Sequence, residues 1–269
     1  MKHWISFPGL GIEPFEVNRV AFNLFGRDIM WYGIIICVGI LLAVLYAYWR
    51  FKKEGFTEDQ FYNYVIFLIP ISVVCARLYY VIFDPTPNYH SFLDVIAIWR
   101  GGIGIYGGII GGAIVSIVYA KVVKKPVLKL LDCVAPAVMI GQMIGRWGNF
   151  VNAEAHGSVT DLPWRMGIAY SPTDSYVEYY HPTFLYESLW NLTGFIIVHF
   201  IINRRKSFDG QAAYFYLAWY GFGRGFIELL RTDSLEVLGM RVSALVGFGC
   251  AAVFGVLFVL NLMKSKKGE

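Results

Sequence analysis

Residues 145–157 read Gly-Arg-Trp-Gly-Asn-Phe-Val-Asn-Ala-Glu-Ala-His-Gly. They place a guanidinium (Arg146), two carboxamides (Asn149 and Asn152), a carboxylate (Glu154) and an imidazole (His156) within a few turns of chain. Such a set suits an anionic ligand. A guanidinium holds a phosphate through two parallel hydrogen bonds, amides donate more, and a nearby carboxylate orients an arginine or accepts a proton. The glycines let backbone approach a ligand closely. The competing reading is a polar turn at a membrane interface with no chemistry of its own.

Four more charges, Arg77, Glu187, Arg224 and Glu228, fall inside or at the edges of apolar stretches. A charge near mid-bilayer costs ~2.5–3.5 kcal/mol on insertion scales, so each needs a partner or a task. Arg224 and Glu228 are four residues apart and share one helix face, which would look into a polar cavity. Arg77 lies near the end of its stretch, where pairing between helices or snorkelling is enough. His181 opens the segment His-Pro-Thr-Phe-Leu-Tyr-Glu187, as a hydrogen-bonded anchor or as a base. Gly102, Gly104 and Gly107 imitate a dinucleotide fingerprint, but no strand precedes them. Their block instead contains the small-residue pairs Gly104/Gly108 and Gly108/Gly112, which predict close helix packing, or room for a bulky ligand beside Tyr106. His3, His90, His156 and His199 show no metal-ligand spacing. Cys37, Cys75, Cys133 and Cys250 sit in apolar blocks without a CxxC pair. Neither a metal site nor a disulfide framework is expected. The absence of GxSxG and HExxH argues against serine and zinc hydrolases.

Composition supplies the elements that must position these residues. The 269-residue chain is 57% hydrophobic and only 16% charged, against about 25% charged in soluble domains. Its mean hydropathy is +0.53. The apolar residues form long blocks, which excludes a disordered chain, a coiled coil and an ordinary soluble enzyme and predicts an all-α, multi-pass membrane protein. Seven spans are expected, at roughly Ile29–Tyr48, Phe61–Phe83, Ile103–Val122, Leu130–Trp147, Thr183–Ile202, Ala212–Leu230 and Val242–Met263. Thirteen Lys and Arg residues, in segments 50–53, 121–129, 204–206 and 264–267, would lie on one side, against eight (Lys2, Arg19, Arg27, Arg100, Arg146, Arg165, Arg231 and Arg241) on the other. The positive-inside rule then puts the N-terminus outside and the C-terminus in the cytoplasm. Residues 1–28 form an outer arm, and the long, polar segment 148–182 predicts a small extracytoplasmic cap on a single polytopic domain. Pro8, Glu13 and Glu16 interrupt the first residues, so no cleaved signal peptide is expected. The net charge of +4 is dispersed and does not point to a nucleic-acid partner. No paired broken spans suggest an inverted-repeat transporter.

The run Gly145–Gly157 closely resembles the signature of the bacterial prolipoprotein diacylglyceryl transferases. Further motifs of that family follow the same order over nearly the whole chain: Trp31-Tyr-Gly33, Ala76-Arg-Leu-Tyr-Tyr-Val81, the block Gly101–Gly108, His181–Glu187, and Gly223-Arg-Gly-Phe-Ile-Glu-Leu-Leu-Arg231. The resemblance implies an enzyme of the bacterial cytoplasmic membrane that uses no cofactor or metal. It implies two partners, phosphatidylglycerol and precursor lipoproteins bearing a lipobox signal peptide. The diacylglyceryl group moves to the lipobox cysteine as a thioether, and glycerol phosphate is released. The thiolate is the nucleophile, and a free cysteine has a pKa of about 8.5; the leaving phosphate needs fixed positive charge. Arg146 and Arg224 match the family's essential arginines. By the same correspondence Tyr32, Asn149, Glu154, Gly157 and Glu228 position substrate or orient those arginines, and Asn152 and His181 complete the expected substrate-binding set.

This chain departs from the family pattern in three places. Tyr106 stands where many members have a histidine proposed as the base. A tyrosine with a pKa near 10 is a poor base unless adjacent arginines lower it. Either Tyr106 acts beside strong positive charge, or it only hydrogen-bonds and His181 or Glu154 takes the proton. Thr232 replaces a common proline before Asp233, and Cys75 replaces a common glycine. Two rival readings use the same residues: a transporter or lipid-binding membrane protein that holds an anionic headgroup, and an acyltransferase acting on glycerol phosphate.

Overall fold

The computed structural model describes residues 2–84, 89, 91–171, 177–232, 236–237 and 240–267. His90, Asp233 and part of the 148–182 segment lie outside the described residues. In chain order the elements are β1 (Lys2–Phe7), β2 (Ile12–Asn18), β3 (Val20–Leu24), β4 (Arg27–Met30), α1 (Trp31–Lys53), α2 (Glu58–Phe83), α3 (Phe92–Ile96), α4 (Ile105–Val122), α5 (Val127–Asn152), β5 (Met166–Ala169), β6 (Glu178–Tyr180), α6 (Thr183–Ile197), α7 (Gln211–Leu230), β7 (Glu236–Val237), β8 (Met240–Arg241) and α8 (Val242–Lys267).

Among the described residues six helical segments are long and apolar enough to cross a membrane: Trp31–Lys53, Glu58–Phe83, Ile105–Val122, Val127–Asn152, Thr183–Ile202 and Val242–Lys267. The chain is a mostly helical membrane protein. The other expected span is the 20-residue helix α7, long enough at 1.5 Å per residue but less apolar, because it carries Arg224 and Glu228. Strands in the extramembrane segments were not foreseen in the all-α reading. They are short, and in β2 and β3 both faces are largely exposed, so no clean apolar alternation marks them.

The chain forms two compact units. One comprises residues 47–133. Its helix α2 opens on a reciprocal capping box. Gln60 N donates to Thr57 Oγ1 at 3.2 Å and Thr57 N to Gln60 Oε1 at 3.1 Å, satisfying amides that a helix start leaves bare. Phe51, Phe56, Phe61 and Tyr64 make its aromatic core. Helices α2 and α4 pack through glycines, as expected. Gly104 of the expected row meets Tyr79, where an added Cβ would lie 2.7 Å from the ring, and Gly107 and Gly111 of the neighbouring row meet the α2 backbone or Cys75. A Cβ on Gly107 would lie 2.3 Å from the Cys75 carbonyl oxygen, and one on Gly111 2.8 Å from Cys75 Cβ. Gly108 and Gly112 would meet neighbours only at ordinary contact distance. Arg77 is buried and donates to backbone carbonyls. Its Nε donates to Val95 O at 2.7 Å, Nη1 to Gly101 O at 2.6 Å and Gly102 O at 2.9 Å, and Nη2 to Asp94 O at 2.7 Å. The loop before α4 is wrapped around this cation.

The other unit comprises residues 1–46 and 134–269. A four-stranded antiparallel sheet, order β2-β1-β5-β6, joins the N-terminal arm to the 148–182 segment. Its inner face brings Ile5, Met166 and Ile168 against Ala153 and Phe184, which fixes the end of α5 beside the start of α6. Helices α7 and α8 approach at Gly221 and Gly247, where either added Cβ would strike the other's carbonyl oxygen, at 2.5 and 2.7 Å. Between α6 and α7, Trp190 and Trp219 stack at 4.2 Å, and each indole N–H donates to the other's carbonyl at 2.9 Å.

Candidate functional site

The candidate site lies in the unit just described, where α5, α6 and α7 face one another. Helix α5 does not end at Trp147, as the expected span did; it runs on to Asn152. Arg146, Asn149 and Asn152 are therefore helical residues at i, i+3 and i+6, on one side of α5. Only residues 153–157 form the turn. That turn opens as a Schellman motif: Ala153 N donates to Phe150 O and Glu154 N to Asn149 O, both at 3.0 Å. Position C′ of this motif favours glycine, yet Ala153 occupies it at φ 49°, and Ala155 follows at φ 55°. The two left-handed alanines fold Glu154 back over the helix end, where its Oε1 accepts from Asn149 Nδ2 at 3.0 Å and Asn152 Nδ2 at 3.2 Å. Arg19 Nη2 donates to the Asn152 carbonyl at 2.6 Å, tying the N-terminal arm to the same point.

Glu187, one turn into α6, is the centre of the cluster. Its Oε1 pairs with Arg146 Nη2, and its Oε2 accepts from Arg224 Nη1 at 3.0 Å. Arg224 Nη2 also pairs with Glu228 Oε2. Arg146 Nη1 reaches Asn149 Oδ1 at 3.2 Å, so the bonds run from Arg224 through Glu187 and Arg146 to Asn149 and Glu154. The carboxylates lie at the back: the side chains of Glu187 and Glu228 are 3% exposed, those of Arg146 and Arg224 21% and 16%. Both arginine side chains thus stay partly exposed, while the anions that hold them are shielded. On the buried side Tyr220 OH lies 3.4 Å from Glu187 Oε1, and Gln142 Nε2 donates to Tyr216 OH at 3.1 Å. Tyr216, Tyr220, Arg224 and Glu228 follow a spacing of four along α7, one polar stripe.

The structure brings Arg146, Asn149, Asn152, Glu154, Arg224 and Glu228 into one connected network. Tyr32 packs against α5 at Gly148, where an added Cβ would lie 2.7 Å from its ring. Gly157 joins three segments. Its N–H donates to His181 O at 2.9 Å, and a Cβ would meet His181 Cβ at 2.7 Å and Leu230 O at 3.0 Å. His181 Nδ1 is 3.3 Å from Tyr186 OH, and burial lowers its pKa from the ordinary 6.5, which keeps the imidazole neutral at neutral pH. Tyr106 belongs to the other unit, in the first turn of α4, with its ring 6.1 Å from that of Tyr79. Glu187 was legible only as a charge inside a span; nothing in its spacing announced that it would hold both arginines.

Among the described residues no cluster of His, Cys, Asp and Glu could hold a metal ion. What the arrangement offers is a pair of partly exposed arginines joined through one buried carboxylate, suited to a phosphodiester whose charge grows as a bond to it breaks.

A family model described as prolipoprotein diacylglyceryl transferase matches residues 19–260. The chain is similar to the phosphatidylglycerol–prolipoprotein diacylglyceryl transferase of Ligilactobacillus salivarius, at 41% identity over 84% of this chain and 87% of the relative. The same-named proteins of Clostridioides difficile (39% identity, 94% of this chain and 98% of the relative) and Bacillus cytotoxicus (38%, 97% of each) are similar to it over nearly their whole lengths.

Proposed function

Since the chain belongs to the prolipoprotein diacylglyceryl transferase family, we propose that it transfers the diacylglyceryl group of phosphatidylglycerol to the cysteine thiol of precursor lipoproteins. The sulfur attacks the glycerol carbon that carries the phosphate. A C–S bond forms, the C–O bond breaks, its electron pair stays on the phosphate oxygen, and the thiol proton leaves to a base or to the departing phosphate. Glycerol phosphate is the second product.

The observation that carries this reading is the arginine pair held by one buried carboxylate. Arg146 and Arg224 are the catalytic clamp on the phosphate, donating to the oxygens on which charge develops. Glu187 and Glu228 fix the clamp from behind. Tyr32, Asn149, Asn152, Glu154, Gly157 and His181 shape the substrate-binding rim at the outer end of α5 and α6. Tyr106 is the proposed proton-transfer or hydrogen-bonding group on the thiol side. In this reading the site opens sideways to the outer leaflet, so that the tails of the lipid stay among the helices. The precursor's signal-peptide helix brings its lipobox cysteine to the same depth.

The topology proposed with it has seven spans, α7 included, with the N-terminus outside and the C-terminus in the cytoplasm of a bacterial cell. Lys264, Lys266 and Lys267 in the last turn of α8 and Arg50, Lys52 and Lys53 in that of α1 support this orientation by the positive-inside rule. The chain acts as one polytopic domain with residues 1–28 as an outer arm and residues 148–182 as an extracytoplasmic cap. Nucleic acid is not a partner.

The test is direct. Purified protein, phosphatidylglycerol and a lipobox peptide are incubated, and the peptide is weighed by mass spectrometry, with Arg146→Ala and Arg224→Ala alongside. A diacylglyceryl adduct on the cysteine, lost in both variants, supports the transferase and the clamp. A folded protein that binds the lipid without forming the adduct favours a lipid-binding or transport role.

A further inference from the structure

The hairpin β3–β4 stands outside every span and displays large apolar side chains that the protein does not cover. Phe22↔Ile29 and Leu24↔Arg27 pair across the strands, and cross-strand partners share a face, so Phe22, Leu24, Ile29 and the Arg27 stem lie together. Asn23 and Asp28 pair on the opposite face, where Asn23 Nδ2 donates to Asp28 Oδ1 at 2.9 Å. The hairpin is thus amphipathic, with one cation beside its apolar face.

The tip is unusual. Phe25 and Gly26 occupy the turn at φ 50° and 77°, the pattern of a tight hairpin turn that favours Asn-Gly. A bulky aromatic residue is costly in that conformation. Phe25 is nevertheless 96% exposed, so no packing within the chain compensates for it. The turn is held rigid, since Gly26 N donates to Asn23 Oδ1 at 3.0 Å.

Position decides what meets this surface. β4 passes into the membrane-crossing helix α1 without an intervening residue, and Trp31 N donates to Arg19 O at 3.0 Å, fastening the base of the hairpin to the first residue of that helix. A strand of five residues reaches about 17 Å at 3.4 Å per residue. The tip therefore lies within that distance of the point where α1 enters the bilayer. Standing upright, the hairpin would expose Phe22, Leu24 and Phe25 to water. Lying down, it buries them among acyl chains and places the Arg27 guanidinium at headgroup depth.

We propose that the β3–β4 hairpin is an interfacial anchor that docks on an anionic phospholipid surface, with Phe25 and Leu24 inserted among the acyl chains and Arg27 paired with lipid phosphate. The proposal goes beyond the transferase reading and does not depend on it. It commits to lipid because the apolar face is contiguous with a membrane span and carries a positive charge.

A benzophenone-bearing phenylalanine analogue at position 25 tests it. The full chain is placed in nanodiscs of phosphatidylglycerol and phosphatidylcholine, irradiated, and searched by mass spectrometry for lipid adducts at that residue; position 24 serves as the second probe. Lipid adducts at both are expected. Arg27→Gln should lower their yield about fivefold in the phosphatidylglycerol discs, the equivalent of about 1 kcal/mol for one basic residue at an anionic surface. In discs of phosphatidylcholine alone, Arg27→Gln should have little effect. Absence of lipid adducts at both positions, or adducts only to the protein itself, overturns the anchor. Equal adduct yields with and without Arg27 overturn the anionic preference. Because no turnover is read, a negative result leaves the transferase reading standing.

Discussion

Glu187→Gln is the most informative single change in this protein. The substitution keeps the shape and removes one charge. A carboxamide has one oxygen and one NH2 group. Arg146 and Arg224 are held by different carboxylate oxygens, so the amide oxygen replaces only one of them and the NH2 group faces the other guanidinium, donor against donor. A hydrogen bond to a charged group contributes about 1.5–3 kcal/mol, and breaking a fully buried pair costs about 3–5 kcal/mol. The arginine side chains are 21% and 16% exposed, and Arg224 retains Glu228, so the loss falls below the fully buried case, at about 2–3 kcal/mol. If the strain falls on the transition state, 1.36 kcal/mol per factor of ten gives a loss in turnover on the order of 30- to 150-fold. The assay is the rate of thioether formation on a lipobox peptide in reconstituted vesicles, with thermal unfolding measured in parallel. Glu187→Asp keeps the charge and shortens the reach; it should recover part of the rate. A Glu187→Gln protein that folds normally and turns over within threefold of the parent would refute the claim that this carboxylate spaces the clamp.

Tyr106→Phe should lower turnover severalfold or more while leaving lipid binding intact; an unchanged rate across pH excludes proton transfer by its hydroxyl. Ala155→Gly should stabilise the fold by about 1 kcal/mol, because it relieves a left-handed alanine at a half-buried position. Ala153→Gly should be near neutral, since Ala153 is buried in the core and the lost methyl, worth about 0.8 kcal/mol, offsets the same relief; denaturation of the two purified variants distinguishes them. Gly107→Val should destabilise the α2–α4 contact by about 1–3 kcal/mol through overpacking, as its Cβ would lie 2.3 Å from the Cys75 carbonyl oxygen.

Six of the seven expected spans were legible because a bilayer imposes a length and a composition that periodicity does not need to refine. Helix ends were less so. Trp147 looked like the end of a span because polar residues begin there, but the backbone in α5 continues to Asn152, since polar side chains can face a polar cavity while the helix persists. That difference changed the site, turning a supposed loop of ligands into one helix side with Arg146 three residues before Asn149. The strands of the N-terminal arm were not legible: β2 is exposed nearly throughout, and β1 finds its second partner, β5, more than 150 residues away. Arg77 was visible as a charge needing a partner. Its partners are backbone carbonyls, which no sequence motif records. Glu187 illustrates the same limit, because a carboxylate that joins two helices to a third is a property of their packing.

The charge arrangement of the cluster explains how such a site can exist in a membrane at all. Arg146, Arg224, Glu187 and Glu228 sum to zero formal charge, so the set avoids the cost of isolated ions in a low-dielectric surrounding. Neutrality alone would make a poor receptor for an anion. The asymmetry of exposure resolves this. The carboxylates are shielded behind the guanidiniums, so an approaching phosphodiester meets donors before it meets acceptors. In the proposed reading it takes donors from Arg146 and Arg224 while Glu187 keeps hold of both from the rear, so the clamp would be set before substrate arrives and would need little reorganisation as charge moves onto the leaving oxygen. An arrangement with the carboxylates in front would have the same net charge and the same helices, yet would repel the group it has to hold.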